Sequence, residues 1–125
     1  MGHVYLAPRG YHLLIEKQSF ALSTDAPVLF ARPSIDVLFE SASDAYGSAV
    51  IGVVLTGGNQ DGARGLGAIK KHGGYTIVED PQSARCEEMP QAAIDFSCVD
   101  KVLPLARVAA VLTNLVSPVA RQYGT

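Results

Sequence analysis

Residues 49–55, AVIGVVL, decide how this chain is read. The run is continuously apolar, rich in β-branched residues and bounded by glycine on both sides. It is too short for a buried helix and lacks the alternation of a half-exposed strand, so it reads as a central strand covered on both faces. Such a strand needs helical layers around it, and its flanks supply them. Upstream, Ile35, Leu38, Phe39, Ala42, Ala45 and Tyr46 follow the i, i+3, i+4, i+7 spacing of one apolar stripe, with Ser34 as N-cap and Gly47 as stop. Downstream, a loop at 56–60 leads into a helix from about 61 to 72, closed by Gly73-Gly74.

Further out the alternation continues. Residues 3–7 (HVYLA) and 12–16 (HLLIE) read as two short strands around Pro8-Arg9-Gly10, with 19–23 as a third, weaker one. Residues 75–78 form a strand, Pro90 starts a short helix (PQAAI), and 99–103 form a last strand. Pro104 then opens a helix with Leu105, Val108, Ala109, Leu112, Leu115 and Val116 on one face. Strands alternating with helices predict an α/β fold in three αβα layers, with a mostly parallel, doubly wound sheet and an antiparallel edge.

Composition narrows the function classes. The chain has 125 residues, 48% of them hydrophobic, enough for one domain or a large piece of one. Ten basic residues stand against twelve acidic ones, with no basic stripe, which disfavours nucleic acid and anionic membranes as partners. No apolar run approaches the ~18 residues of a membrane span, and the N-terminus has no secretory pattern, so the expected location is the cytoplasm. Cys86 and Cys98 have no metal-ligand spacing and read as reduced thiols; no metal or cofactor is implied.

Chemistry in such a sheet collects beyond the carboxyl ends of the strands. There the central strand runs into Leu55-Thr56-Gly57-Gly58-Asn59-Gln60-Asp61-Gly62-Ala63. Paired glycines permit a tight turn, and an acid follows at a helix start. Asp61 is read in two ways: as a plain helix cap, since its carboxylate accepts first-turn N–H groups, or as a carboxylate presented to a site. A phosphate cradle is disfavoured, because the loop lacks G-x-G-x-x-G and G-K-[ST] and the acid would repel phosphate.

This loop also resembles one from a known family. Residues 55–63, the strand at 75–78 and the segment from Ser83 through Met89-Pro90 to Ala93 are similar to the C-terminal half of the chemotaxis receptor methylesterase (CheB-type) domain. Two upstream stretches match as well: Val4-Tyr5-Leu6-Ala7-Pro8 with His12, and Arg32-Pro33-Ser34-Ile35-Asp36-Val37-Leu38-Phe39. The resemblance covers the chain nearly end to end and in order. It implies hydrolysis of glutamate methyl esters on the cytoplasmic helices of chemoreceptors, and in some members deamidation of glutamines, by a Ser-His-Asp triad.

Only the aspartate of that triad falls on a matching position, Asp61, whose implied role is to accept Nδ1–H of the histidine and stabilise the imidazolium. The family's serine lies in a G-x-S-x-G-G turn and its histidine downstream of it, both ahead of the V-Y-x-A-P strand with which this chain opens. Ser34, Ser41, Ser43, Ser48 and Ser83 occupy no such turn, and His3, His12 and His72 match no catalytic position. Residues 1–125 are thus expected to be a partial, N-terminally truncated catalytic domain without a receiver domain, inactive by itself. Gly58 stands where the family often has methionine; its N–H is a candidate oxyanion donor, with Thr56 and Gly57 in the same loop. The alternative is a non-catalytic homologue that acts as a binding module, and a flavodoxin-like ligand binder is disfavoured by the ordered motifs. Loss of an interior strand should expose apolar edges and favour self-association.

Overall fold

The computed structural model describes residues 2–97 and 99–116; Cys98 lies outside them. Their order is β1 (His12–Glu16), β2 (Ser19–Ser23), α1 (Ile35–Tyr46), β3 (Ile51–Val54), α2 (Ala63–Lys71), β4 (Tyr75–Glu79), α3 (Glu88–Phe96), β5 (Lys101–Leu103) and α4 (Leu105–Val116), with a 3-10 turn at Gly47–Ala49. β3, β4 and β5 form a parallel sheet in that order, Ile51 opposite Tyr75 and Ile77 opposite Lys101. One face packs Val54 and Val78 against Leu66 and Ile69 of α2 and Ala93 of α3. The other packs Ile77 and Leu103 against Val108, Val111, Leu112 and Leu115 of α4. The three αβα layers are therefore present.

Three details differ from the sequence reading. The strand read as central has covered faces, but β4 is the middle strand, and the outer edge of β3 pairs with no strand among the described residues. Thr76, Ile77, Val78 and Glu79 are all buried, whereas β3 alternates between half-buried and buried. Apolar content reports coverage of a strand's faces and says nothing of its edges, so it cannot rank neighbours. Residues 3–7 form no strand, with Val4 and Leu6 exposed; a β pattern becomes a strand only beside a partner. The antiparallel pair is instead β1–β2, a separate two-stranded sheet with Leu13 opposite Leu22.

Helix limits follow local chemistry closely. Ser34 caps α1, its Oγ accepting the N–H of Val37 at 3.4 Å, and Gly47 ends it with positive φ. Pro90 sits in the first turn of α3, where its missing N–H costs nothing. The inward face of α4 is Val108, Val111, Leu112 and Leu115, while Leu105 and Val116 are exposed. The expected face erred by part of a turn: Val111 is partly buried, whereas Ala109 is exposed.

Two links hold the layers in register. α1 carries the β1–β2 hairpin: the Ile15 N–H donates to Ser41 Oγ (2.8 Å) and the Gln18 N–H to Tyr46 Oη (2.8 Å). Asp100 accepts from the Thr76 N–H and Oγ and pairs with Lys70 at 2.6 Å. Burial pushes its carboxyl up, but Lys70 and the Thr76 donors outweigh burial and hold it below the ordinary value.

The α1–α2 contact has almost no slack. A Cβ on Gly65 would lie 2.6 Å from Cβ of Phe39 and 3.0 Å from the Cα of Asp36. Neither atom is the free end of a side chain, so the helices would have to separate. Gly65→Ala is accordingly expected to cost about 1–3 kcal/mol despite the better helix propensity of alanine. Urea denaturation checks this, and an unchanged or raised midpoint would contradict it.

Candidate active site

The loop after β3 is tied down at Thr56 and Gly57. The Thr56 N–H donates to Glu79 Oε1 (3.0 Å), and Thr56 Oγ both donates to the carbonyl of Cys86 (3.1 Å) and accepts its N–H (2.7 Å). The Gly57 N–H donates to the Cys86 carbonyl (3.2 Å), and the Gly57 carbonyl accepts the Met89 N–H (3.0 Å). A Cβ on Gly57 would lie 2.5 Å from Cε of Met89, so the flexible end of that side chain would have to move aside. Among the three loop residues singled out, Thr56 and Gly57 thus have engaged N–H groups. Only Gly58 has a backbone N–H with no partner among the described residues, as an oxyanion donor requires.

Asp61 is 2% exposed and does cap a helix, but not the one it precedes. The N-cap of α2 is Gly62, which has no side chain to offer. The carboxylate of Asp61 turns to α1 instead. Its Oδ1 accepts from Ser34 Oγ (2.8 Å) and the Asp36 N–H (2.9 Å), and its Oδ2 from the Ile35 N–H (2.6 Å). Its own N–H donates to Asn59 Oδ1 (2.8 Å), a local turn that sets the height of the residue.

Asp36 returns the contact. From the first turn of α1, its Oδ1 accepts the N–H groups of Gly62 (2.9 Å) and Gly65 (2.7 Å), capping α2. Burial raises its carboxyl above the ordinary value, and the Asp61 charge pushes the same way; the Gly65 and Gly62 donors and Arg64 oppose this without prevailing. Two like charges are kept close because each holds orphan N–H groups at a helix end.

A serine, a histidine and an aspartate therefore meet here, yet without the connectivity of a triad. The Ser34 hydroxyl donates straight to Asp61. The buried His12 ring bonds at Nδ1 to the Ser34 N–H (3.2 Å) and at Nε2 to the Ala26 carbonyl (3.0 Å). Its Nδ1 accepts, so its Nε2–H donates, and no nitrogen faces the hydroxyl as a base. His12 is a structural post and Ser34 a cap. His3 is exposed, and His72 ends α2 with Nδ1 on the Ala68 carbonyl. Among the described residues, no group of three or more His, Cys, Asp or Glu could hold a metal.

Sequence reasoning missed Asp36 and Glu79. Glu79 is fully buried at the carboxyl end of β4, with Oε1 on the Thr56 N–H and Oε2 on the Ser83 hydroxyl (3.1 Å). An acid closing the otherwise apolar YTIVE, and an acid two residues past a helix cap, were the available signals. Beside the loop lies a cavity of about 460 Å³, walled by Leu29, Asp36, Gln60, Arg64 and Phe96.

The structure is thus an α/β domain whose parallel sheet ends in an acid-bearing loop, with that acid buried and held by backbone donors. The fold matches the crystal structure of the Thermotoga maritima CheB methylesterase catalytic domain, with a TM-score of 0.85 and 33% identity, over 90% of this chain and 61% of that one. A family model described as CheB methylesterase matches residues 1–112, and the chain belongs to that family. A Leptospira interrogans protein is 51% identical over 115 residues, 91% of this chain and 60% of its own length. The protein-glutamate methylesterase/protein-glutamine glutaminase 1 of Carboxydothermus hydrogenoformans is 45% identical, and the protein-glutamate methylesterase FrzG of Myxococcus xanthus is 44% identical. The chain spans 34% and 35% of those two proteins.

The two carboxylates should respond oppositely to amidation. In Asp61→Asn, one oxygen becomes an NH₂ that faces a backbone or hydroxyl donor, at a cost of about 1–3 kcal/mol. In Asp36→Asn, the retained oxygen still accepts from Gly62 and Gly65, and a charge is lost beside Asp61. The pH dependence has a definite sign. A raised carboxyl favours the fold below the ordinary carboxylate range, and that contribution is lost as pH rises through the raised value. Thermal melts from pH 3 to pH 8 should therefore show Asp36→Asn gaining on the wild type as pH rises. Equal losses for the two variants at neutral pH would contradict this account.

Proposed function

We propose that these 125 residues are the acid-bearing part of the catalytic domain of a protein-glutamate methylesterase, with Asp61 as the acid of a Ser-His-Asp triad. The observation that carries this reading is the state of the Asp61 carboxylate. A carboxylate has about four lone-pair sites, and Asp61 uses three of them, leaving one on Oδ2. That is the arrangement an orienting aspartate needs: fixed by donors that do not move, with one site open for an imidazole Nδ1–H. The free N–H of Gly58, four residues past the carboxyl end of β3 at Val54, suits an oxyanion formed nearby.

The serine and histidine of such a triad match no residue in this sequence, so the 125 residues alone should release no methanol from methylated receptor protein above background. The expected substrates are glutamate methyl esters, and in the same site glutamines, on cytoplasmic chemoreceptor helices. The chain would then act in the cytoplasm; among the described residues no helix is long and apolar enough to cross a membrane. The unpaired edge of β3 is a place for another strand, and sedimentation should show concentration-dependent association of the isolated chain. A monodisperse monomer across the accessible concentration range would remove that expectation.

A chimera tests the catalytic role. The 115 matched residues of this chain would replace their counterparts in the Leptospira protein, whose remaining length would supply the other triad members. The chimera should hydrolyse receptor methyl esters, and Asp61→Asn within it should lower kcat by a factor on the order of 10⁴ with little change in KM. Full turnover by the Asp61→Asn chimera would favour the second reading, a binding module in which Asp61 is only the cap of α1. That reading draws on the same three hydrogen bonds, which already account for an aspartate here on stability alone.

A further inference from the structure

Glu79 is 1% exposed and closes the apolar strand β4. It makes no ion pair among the described residues. Its oxygens accept from two donors, the Thr56 N–H (3.0 Å) and the Ser83 hydroxyl (3.1 Å). A carboxylate shut away from water without a cation beside it is costly, and two donors leave about half of its lone-pair sites unused. The sheet does not require the acid, since β4 pairs with β3 and β5 through backbone groups. The Asp36–Asp61 exchange does not involve it either.

What Glu79 does hold is the start of the site loop. With the Thr56 N–H on Glu79, the Thr56 hydroxyl reaches the β4–α3 loop, where it accepts the Cys86 N–H (2.7 Å) and donates to the Cys86 carbonyl (3.1 Å). The same carbonyl accepts the Gly57 N–H (3.2 Å), and the Gly57 carbonyl accepts the Met89 N–H (3.0 Å). These bonds fix the next peptide group. The Gly57–Gly58 peptide is planar and trans, so its N–H points opposite to its C=O. A Gly57 carbonyl turned to α3 therefore turns the Gly58 N–H away from α3, and Gly58 is exposed.

We propose that Glu79 is a positioning residue for the hydrolysis: by holding the Thr56 N–H it keeps the Thr56 hydroxyl on Cys86, and so aims the Gly58 N–H at the oxyanion. Glu79 touches no reacting atom and acts only through Thr56 and the loop. Aim matters because an oxyanion donor must be in place before charge develops, and a misplacement of about 1 Å can lower a rate on the order of 10²-fold. What the loop needs from residue 79 is an acceptor for Thr56. Glutamine would keep one, its carbonyl oxygen on the Thr56 N–H and its NH₂ on Ser83 Oγ, whereas methionine of similar volume would keep none. This inference rests on the functional reading above, with Gly58 as the oxyanion donor.

The chimera with the Leptospira protein carries the test, with methanol release from methylated receptor as the readout. Rates are divided by the number of sites that a fluorophosphonate labels at completion, so that only folded enzyme is counted. Glu79→Met should lower kcat on the order of 10- to 100-fold with KM within about twofold. Glu79→Gln should recover most of that loss. Thr56→Val, which keeps the shape and loses both Cys86 bonds, should lower kcat as Glu79→Met does. If Glu79→Met yields no folded chimera, Thr56→Val at an exposed residue decides the matter. A kcat within about twofold of wild type in Thr56→Val and in any folded Glu79→Met overturns the positioning role. With Asp61→Asn still inactive, the functional reading would survive that result. A change confined to KM, or a loss in Glu79→Gln as deep as in Glu79→Met, would equally overturn it. An unsubstituted chimera that releases no methanol would overturn both.

Discussion

Everything near the candidate site depends on an exchange of carboxylates between two helices. Asp61, in the loop that leads into α2, caps α1; Asp36, in the first turn of α1, caps α2. Each acid sits where a helix dipole and unpaired N–H groups favour negative charge, which offsets the repulsion of two carboxylates brought together. The exchange is possible only because the helix starts nearly touch, and Gly65 provides that proximity. Breaking either half would free two helix starts at once, since the same contact sets the spacing of both. The hairpin β1–β2, through His12 and Ser34, is fastened to this junction as well.

How much of this was legible in the sequence depended on the range of the interaction. The Ser34 cap, the end of α1 at Gly47 and the αβα alternation follow from neighbours a few residues apart, and the structure reproduces them. Asp61 was legible as a cap, yet its position ahead of α2 pointed to the wrong helix; its partners lie 25 to 27 residues earlier. The same limit explains β3. Its apolar run correctly signalled covered faces, while its place at one side of the sheet depends on which strands pair, and no local pattern encodes that. Leu29 and Phe30 show the opposite failure: both lie at positive φ in a turn closed by Val28 and Ala31, where no propensity argument would put one.

The loop at 56–58 shows how little of a site need be side-chain chemistry. Thr56 and Gly57 use their polar groups on Glu79, Cys86 and Met89, and this bonding leaves the Gly58 N–H as the open donor. The buried Glu79 carboxylate serves here as a bracket, joining the ends of β3 and β4 through Thr56 and Ser83. The family relationship and the fold agree on where the crevice lies. The residues that shape it, Asp36 and Glu79 among them, are positioned by buried hydrogen bonds, and residue type alone does not distinguish such a cap or bracket from a catalytic acid.

Under the proposed reading Asp61 would serve a triad as well as the start of α1, and this bears on how such a domain can change over generations. A position used only for catalysis is free to drift once activity is no longer selected. Asp61 is not free in that way, because the start of α1 would lose its acceptor with the first substitution. A descendant that had given up hydrolysis altogether would still be selected to keep an aspartate here, simply in order to fold. An intact acid at this position is therefore a record of architecture first, and of chemistry only when a histidine stands within reach of its remaining lone pair.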